Sequence, residues 1–268
     1  MKIAVIGAGA FGTALGGILA FNGYDIDYYD SKTTGERLSD VVQGCKYILL
    51  AIPSKAVPYV LPHLPNTIPL IVATKGILSS KTFQKFDDYM VLSGPGFADD
   101  IKAYKDTYLT VTDDRLKKLF QADYIHFDYT NDENGVLMCG SLKNVYAIWS
   151  GVLGLKRDSK KWLNYINDVS LEMKTILQAN NANPDTVDLV CGIGDLKLTC
   201  GYPSRNYEFG DKFRQNNDYL PEKTVEGLSA IKKLLNNEIL IPNNLSILSS
   251  ILKTFSHDYF RKVANGSK

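Results

Sequence analysis

No excess of charge, no paired cysteines and no long apolar run mark this chain. Thirty basic residues meet 29 acidic ones, for a net charge of +1, so composition gives no reason to expect nucleic acid or an acidic surface as partner. The four cysteines, Cys45, Cys139, Cys191 and Cys200, form no CxxC pair. That argues against a zinc site and leaves free thiols in a reducing, cytoplasmic setting as the expectation. No stretch reaches the ~18 continuous apolar residues of a membrane span, and glycines break the apolar start, which reads as strand, turn and helix and not as a signal peptide. There is no internal repeat and no low-complexity segment. What remains is ordinary: 268 residues, 45% hydrophobic and 22% charged, enough for one large domain or two ordinary ones.

The first thirty residues carry the most information. Residues 3–6 are a short β-branched run of the kind found in a strand buried on both faces. They enter Gly7-Ala8-Gly9-Ala10-Phe11-Gly12, then a helical stretch over 13–21 that Asn22-Gly23 ends, then a strand over 26–29 closed by Asp30. Gly7 permits the tight turn, Gly9 lets backbone approach a pyrophosphate, and Gly12 permits close helix–strand packing, with the helix N-terminus facing the phosphates. Asp30 follows Gly12 by 18 residues, placed to bond the ribose hydroxyls of an adenosine. The spacing therefore predicts a dinucleotide site. An acid here favours NAD over NADP, because a 2′-phosphate would meet like charge, although Ser31 and Lys32 follow at once and are able to accept a phosphate.

Strand and helix candidates go on alternating: strands over 46–52, 70–73, 91–92, 107–111 and 124–127, with helices over 55–61 and 114–120. Such alternation predicts an α/β, Rossmann-like, doubly wound and mainly parallel sheet. Ligands of such sheets bind at the carboxyl ends of the strands, where Pro53-Ser54, Thr74-Lys75-Gly76 and Ser93-Gly94-Pro95 fall. Lys75 is there as a site cation or, equally well by spacing, as a solvated loop lysine.

After Asp128 the alternation stops, and Asn131-Asp132-Glu133-Asn134 reads as a boundary or helix cap. The expected division is a dinucleotide-binding domain over 1–130 and an all-α domain over 131–268. Its first helix, over 135–151, is apolar on nearly every side and carries one charge, Lys143. A buried ammonium is costly unless paired or deprotonated; a lysine snorkelling to a surface is the plain alternative. Further helices are expected over 162–179, 224–235 and 245–254, with a polar, frayed tail from His257. Between them, Gly192-Ile193-Gly194-Asp195-Leu196 sets an acid among glycines. Arg205 offers a bidentate phosphate ligand, with Thr199, Ser204 and Asn206 as neutral donors, and Glu226 fits a helix N-terminus. His63, His126 and His257 have no evident partners by sequence, which leaves lysine as the main candidate for proton transfer.

These segments resemble the NAD(P)-dependent glycerol-3-phosphate dehydrogenases: GAGAFGTAL, the PS of AIPS, ATKG, LSGPGFADDI, GSLKNVYAI, GIGDLKLTC, SRNYEFG and TVEG, in family order over residues 1 to about 230. The resemblance implies Lys143 as proton donor and acceptor at the substrate C2 oxygen, Lys75 binding substrate near the nicotinamide, and Asp195 orienting Lys143 or a substrate hydroxyl. It implies Thr199, Ser204, Arg205 and Asn206 around the substrate phosphate and neighbouring oxygens, with Gly94 beside them. Ala10, Phe11, Pro53, Ala98, Arg205 and Glu226 fall at cofactor positions. The implied substrate is a small phosphorylated molecule, and the apolar second half suits burial within one chain or a homodimer.

Four departures stand out: a shortened stretch between Asp30 and Cys45, Gly96 where the family has serine or threonine, Arg157-Asp158-Ser159-Lys160-Lys161 after the lysine helix, and trimmed C-terminal helices. Two other readings share the architecture: a dehydrogenase of another small hydroxy acid, ketopantoate reductase-like, and a nucleotide-binding sensor without turnover.

Overall fold

The computed structural model describes residues 1–32, 35, 37–76, 79–221 and 224–266. Seven strands form one sheet: β1 (Lys2–Ile6), β2 (Asp25–Tyr29), β3 (Tyr47–Leu50), β4 (Leu70–Val72), β5 (Tyr89–Ser93), β6 (Thr107–Val111) and β7 (Ile125–Tyr129). Their order is β2-β1-β3-β4-β5-β6-β7, and every pairing is parallel except β5 with β6. Ile3, Val5, Leu49, Ile71 and Leu92 are buried in its core, as the apolar runs require of strands covered on both faces. Because order reverses beside β1, the carboxyl ends of β1 and β3 form the switch point where such sheets take ligands.

The strands are linked by α1 (Ala10–Phe21), α2 (Leu38–Val42), α3 (Val57–Val60), α4 (Ala98–Lys102) and α5 (Asp114–Leu119). The shortened stretch after Asp30 holds α2; Thr33, Thr34 and Glu36 lie outside the described residues. Arg115 on α5 grips Asp88 and Asp113, tying this helix to the turn before β5.

Chain contacts divide the molecule into two compact units, 1–75 with 80–136 and 76–79 with 137–268. The second holds α6 (Glu133–Val152, shared at its start with the first), α7 (Lys160–Ala179), α8 (Asp195–Thr199), α9 (Arg205–Gln215), α10 (Glu226–Leu235), α11 (Ser246–Thr254) and α12 (His257–Gly266). Among the described residues it contains no strand. Glycines let its helices touch backbone to backbone. A Cβ at Gly210 would lie 1.9 Å from Ile148 O, and one at Gly151 would lie 2.1 Å from Tyr207 O. Gly151 therefore serves helix packing.

The tail differs from the sequence expectation. It is helical through Gly266, because Tyr259 packs its ring edge-on against Phe255 and Phe213, with centroids 5.2 and 5.8 Å away. Burial pushes the Tyr259 phenol up to about 12. Those three aromatics come from three elements, so local polarity concealed their partnership. Among the described residues, no helix is long and apolar enough to cross a membrane.

Candidate active site

The glycine loop after β1 has the shape its sequence requires. Gly7 adopts φ +108°, a conformation open to glycine, and its N–H donates to Tyr29 O at 2.8 Å. A Cβ at Gly7 would lie 2.5 Å from Ala51 O, and one at Gly12 would lie 2.0 Å from Gly7 O. Gly9 is different: nothing stands within 4 Å of the Cβ it lacks. It occupies the N-cap of α1 without a side-chain cap, so the first N–H groups of the helix, from Ala10, Phe11 and Gly12, are presented to whatever approaches the loop. An open glycine below uncapped helix amides fits a pyrophosphate.

Other predicted cofactor residues surround that loop in the first unit. Asp30 accepts the Lys32 N–H at 2.9 Å, an Asx turn that orients its carboxylate. Lys75, after β4, places its ammonium 5.2 Å from the Phe11 ring centroid, which brings this cation to the start of α1. Pro53 leads into the single turn Ser54–Ala56 at the end of β3. Ala98 opens α4 and packs on the sheet core.

Gly94 has a packing reason of its own, since a Cβ there would lie 2.4 Å from Tyr108 O on β6. Gly96 faces Thr107, whose Cγ2 stands 3.0 Å from the Cβ a serine or threonine would bring. The threonine methyl thus fills the space beside this departure from the family pattern. His126, which looked partnerless in sequence, sits 2.9 Å from Asp106 on the exposed side of β7.

In the second unit, Lys143 is 2% exposed on α6 and forms an ion pair with Asp195, itself 1% exposed. Asp195 begins α8 directly after a π-helical turn, Val190–Gly194. The sequence shows only an acid set among glycines, and the wide turn before it comes from the structure. Gly192 is pressed so close to Val187 that a Cβ would lie 2.2 Å from Val187 O. Thr199 donates its hydroxyl to Asp195 O at 2.6 Å. Arg157, which the sequence shows only as part of a charged run, donates to Leu198 O at 2.8 Å and so binds a carbonyl at the C-terminal end of α8, where a cation is favoured. Cys200 lies below, its thiol pushed up by burial.

The remaining predicted residues gather on α9 and α10. Ser204 is the N-cap of α9, accepting from Tyr207 N at 3.5 Å. Arg205 is exposed at the first helical position. It opens on a cavity of about 240 Å³ that Lys212, Tyr219 and Thr224 also line, with Glu208 as its acid. Glu226 is the first residue of α10. Asn206 is buried and bonded to Asn144 and to the backbone of Gly227. Asn144 escaped the sequence reading; an amide beside the lysine in an otherwise apolar helix was the signal for it.

A parallel sheet with an open glycine loop at its switch point, followed by helices that bury a lysine–carboxylate pair, defines a nucleotide-dependent dehydrogenase of the two-unit kind. Residues 132–258 match the family described as the NAD-dependent glycerol-3-phosphate dehydrogenase C-terminus. The glycerol-3-phosphate dehydrogenase (NAD(P)+) of Brucella ovis is 31% identical over 275 residues, covering 85% of this chain and 84% of that protein. Its counterpart from Neorickettsia sennetsu is 27% identical over 295 residues, covering 91% and 88%. The crystal structure of glycerol-3-phosphate dehydrogenase from Coxiella burnetii superposes with a TM-score of 0.75 at 22% identity, covering 100% of this chain and 98% of that one. The chain belongs to the NAD(P)-dependent glycerol-3-phosphate dehydrogenase family.

Proposed function

We propose that this protein interconverts dihydroxyacetone phosphate and sn-glycerol 3-phosphate, with Lys143 as the general acid and base. The observation that carries the reading is the Lys143–Asp195 pair, a proton-bearing group held nearly water-free on an apolar helix. The first unit, near residues 1–130, takes the dinucleotide on the Gly7, Gly9 and Gly12 loop; the second takes the substrate. When bound, the nicotinamide supplies the hydride for C2. In the reducing direction Lys143 gives a proton to the C2 oxygen as that oxygen becomes a hydroxyl, and in the oxidising direction it takes the proton back. Asp195 holds the ammonium in place and balances its charge, and the Thr199 hydroxyl, bonded to the Asp195 main-chain oxygen one helical turn back, lies beside it.

Arg205, exposed at the N-terminus of α9, holds the substrate phosphate through paired N–H groups, with Ser204 beside it; the family resemblance gives Lys75, in the first unit, a part in substrate binding. Binding energy at a phosphate remote from the reacting carbon is then available for orientation. Asp30 favours NADH, since its carboxylate repels a 2′-phosphate. The test is NADH oxidation with dihydroxyacetone phosphate, with unphosphorylated dihydroxyacetone and with NADPH in place of NADH. Turnover is expected in the first case and near absence in the second, with a clear loss in the third. Equal rates with and without phosphate would overturn the role of Arg205, and binding of NADH without any turnover would favour a sensor.

A further inference from the structure

A cavity of about 740 Å³ opens in the first unit beside the C-terminal half of α1, where the end of α4 and the turn before β7 complete its walls. α1 is 12 residues long, so its two ends lie about 18 Å apart, and none of Gly7, Gly9 and Gly12 lines the cavity. Its walls are tied together. Asn22 Nδ2, just past α1, donates to Leu119 O and to Gln121 O, each at 2.9 Å.

Three features of these walls cost stability without a matching gain in burial. Gly17 lies within α1, where glycine weakens a helix. Gly12 and Gly16 of the same helix are pressed against Gly7 O and the Tyr28 hydroxyl, but nothing stands within 4 Å of the Cβ that Gly17 lacks. Tyr104 adopts φ +56°. Its N–H donates to Ile101 O at 3.1 Å and that of Lys105 to Asp100 O at 3.0 Å, a helix ending whose left-handed residue is usually glycine. A bulky side chain there is strained, yet Tyr104 is 71% exposed, its ring held edge-on against Tyr124 at a centroid distance of 5.3 Å. Phe21, one turn after Gly17 on the same face of α1, is 81% exposed.

The charges are as selective. Lys105 and Lys117 are paired with Asp100 and Asp114. Lys102 and Lys118, which line the cavity, form no ion pair among the described residues, and Asp123 is the acid of the lining. An open glycine backbone beside exposed rings suits the face of a planar group. Two unpaired ammonium groups suit an anion. A carboxylate repels a bare anion but accepts from hydroxyl groups. We propose that this cavity binds a nucleoside monophosphate, its base on the Gly17 backbone beside Phe21 and Tyr104, its phosphate at Lys102 and Lys118, and its sugar hydroxyls at Asp123.

The test is calorimetric titration of guanosine 5′-monophosphate into the full chain saturated with NADH, so that the cofactor loop is filled, beside guanosine and inorganic phosphate. The monophosphate is expected to bind with a Kd below about 1 mM, and guanosine and phosphate each at least about 10-fold more weakly. Gly17→Leu puts a side chain into the open space, and Tyr104→Gly removes the rim aromatic. Each is expected to weaken the monophosphate by about 10-fold or more. Gly17→Leu is also expected to raise the midpoint of thermal unfolding by about 2–4 °C, so that lost binding is not lost fold. Lys102→Gln with Lys118→Gln is expected to bring the monophosphate down to the affinity of guanosine.

No binding up to about 10 mM monophosphate, or equal affinity for the monophosphate and either of its parts, would overturn the proposal. So would unchanged binding in Gly17→Leu, which would put the nucleotide elsewhere, and a Gly17→Leu variant that melts below the wild type, which would show that the glycine packs. None of these readings needs turnover, so they stand or fall apart from the dehydrogenase assay.

Discussion

Replacing Glu172 by glutamine is expected to destabilise the second unit by about 2 kcal/mol. Glu172 lies on α7, 9% exposed, and both its oxygens are occupied. Oε1 accepts the Ile247 N–H at 2.7 Å; Oε2 accepts the Leu248 N–H at 2.9 Å and the Tyr146 hydroxyl at 3.0 Å. The carboxylate thus caps α11 from a different helix and anchors α6 one turn beyond Lys143. A glutamine retains one oxygen. If that oxygen stays with Leu248 and Tyr146, the amide nitrogen confronts the Ile247 N–H, donor against donor.

One unpaired N–H costs about 1–3 kcal/mol, and the surviving bonds lose their charge assistance. Relief from burying a carboxylate offsets part of this, which leaves about 2 kcal/mol. Tyr146→Phe removes one donor and strands no backbone group, so it is expected to cost about 1 kcal/mol. Both tryptophans, Trp149 and Trp162, lie in the second unit, so their fluorescence in a urea titration reports on this unit alone. At a urea slope of about 2 kcal/mol/M, the glutamine variant is expected to unfold about 1 M earlier with the slope unchanged. A glutamine variant as stable as the wild type, or one that loses less than Tyr146→Phe, would refute the capping argument.

Two further outcomes follow from the charged groups. Asp195→Asn leaves the Lys143 ammonium buried without its carboxylate, and is expected to destabilise the second unit by about 3–5 kcal/mol in the same urea titration; joint replacement, Lys143→Met with Asp195→Leu, is expected to recover most of that loss, and an unchanged midpoint in the single variant would contradict a buried ion pair. In the first unit, the Arg115 guanidinium holds the Asp113 carboxyl below its ordinary value. A lowered carboxyl value in the folded state stabilises above the unfolded value of about 3.9 and loses that contribution as pH falls through the folded one. Asp113→Asn, still an able N-cap, is therefore expected to lie below the wild type in thermal melting at pH 6 and to converge with it on acidification, whereas a gap that widens in acid would contradict the sign.

Much of the first unit was legible because its signals are local. A β-branched run buries a strand, and three glycines at fixed offsets shape the loop, so Gly7 and Gly12 stand where spacing put them. Lys143 was legible for the opposite reason, as the single charge that an apolar helix does not tolerate alone. What escaped was tertiary. Asn206 sits in a motif that suggests a ligand, yet its amide is committed to Asn144 and Gly227, which lie 62 and 21 residues away.

Glu172 could have been found. It falls in the buried stripe of α7 with Tyr165, Val169 and Ile176, where an acid is out of place unless something caps against it. Arg157 and the aromatic set around Tyr259 had no such sign, because their partners are distant backbone and rings of other helices. The π-helical turn before Asp195 was hidden by its glycines, which favour a loop by propensity and here permit close backbone contact instead.

The central claim is that Lys143 moves the proton at the substrate C2 oxygen. Its most direct test is kcat for NADH-dependent reduction of dihydroxyacetone phosphate by Lys143→Ala beside the wild type, with NADH affinity measured on both. The account predicts a fall in kcat of about 10²–10⁴-fold with NADH affinity retained, because the glycine loop belongs to the other unit. Comparable turnover in the variant would contradict it.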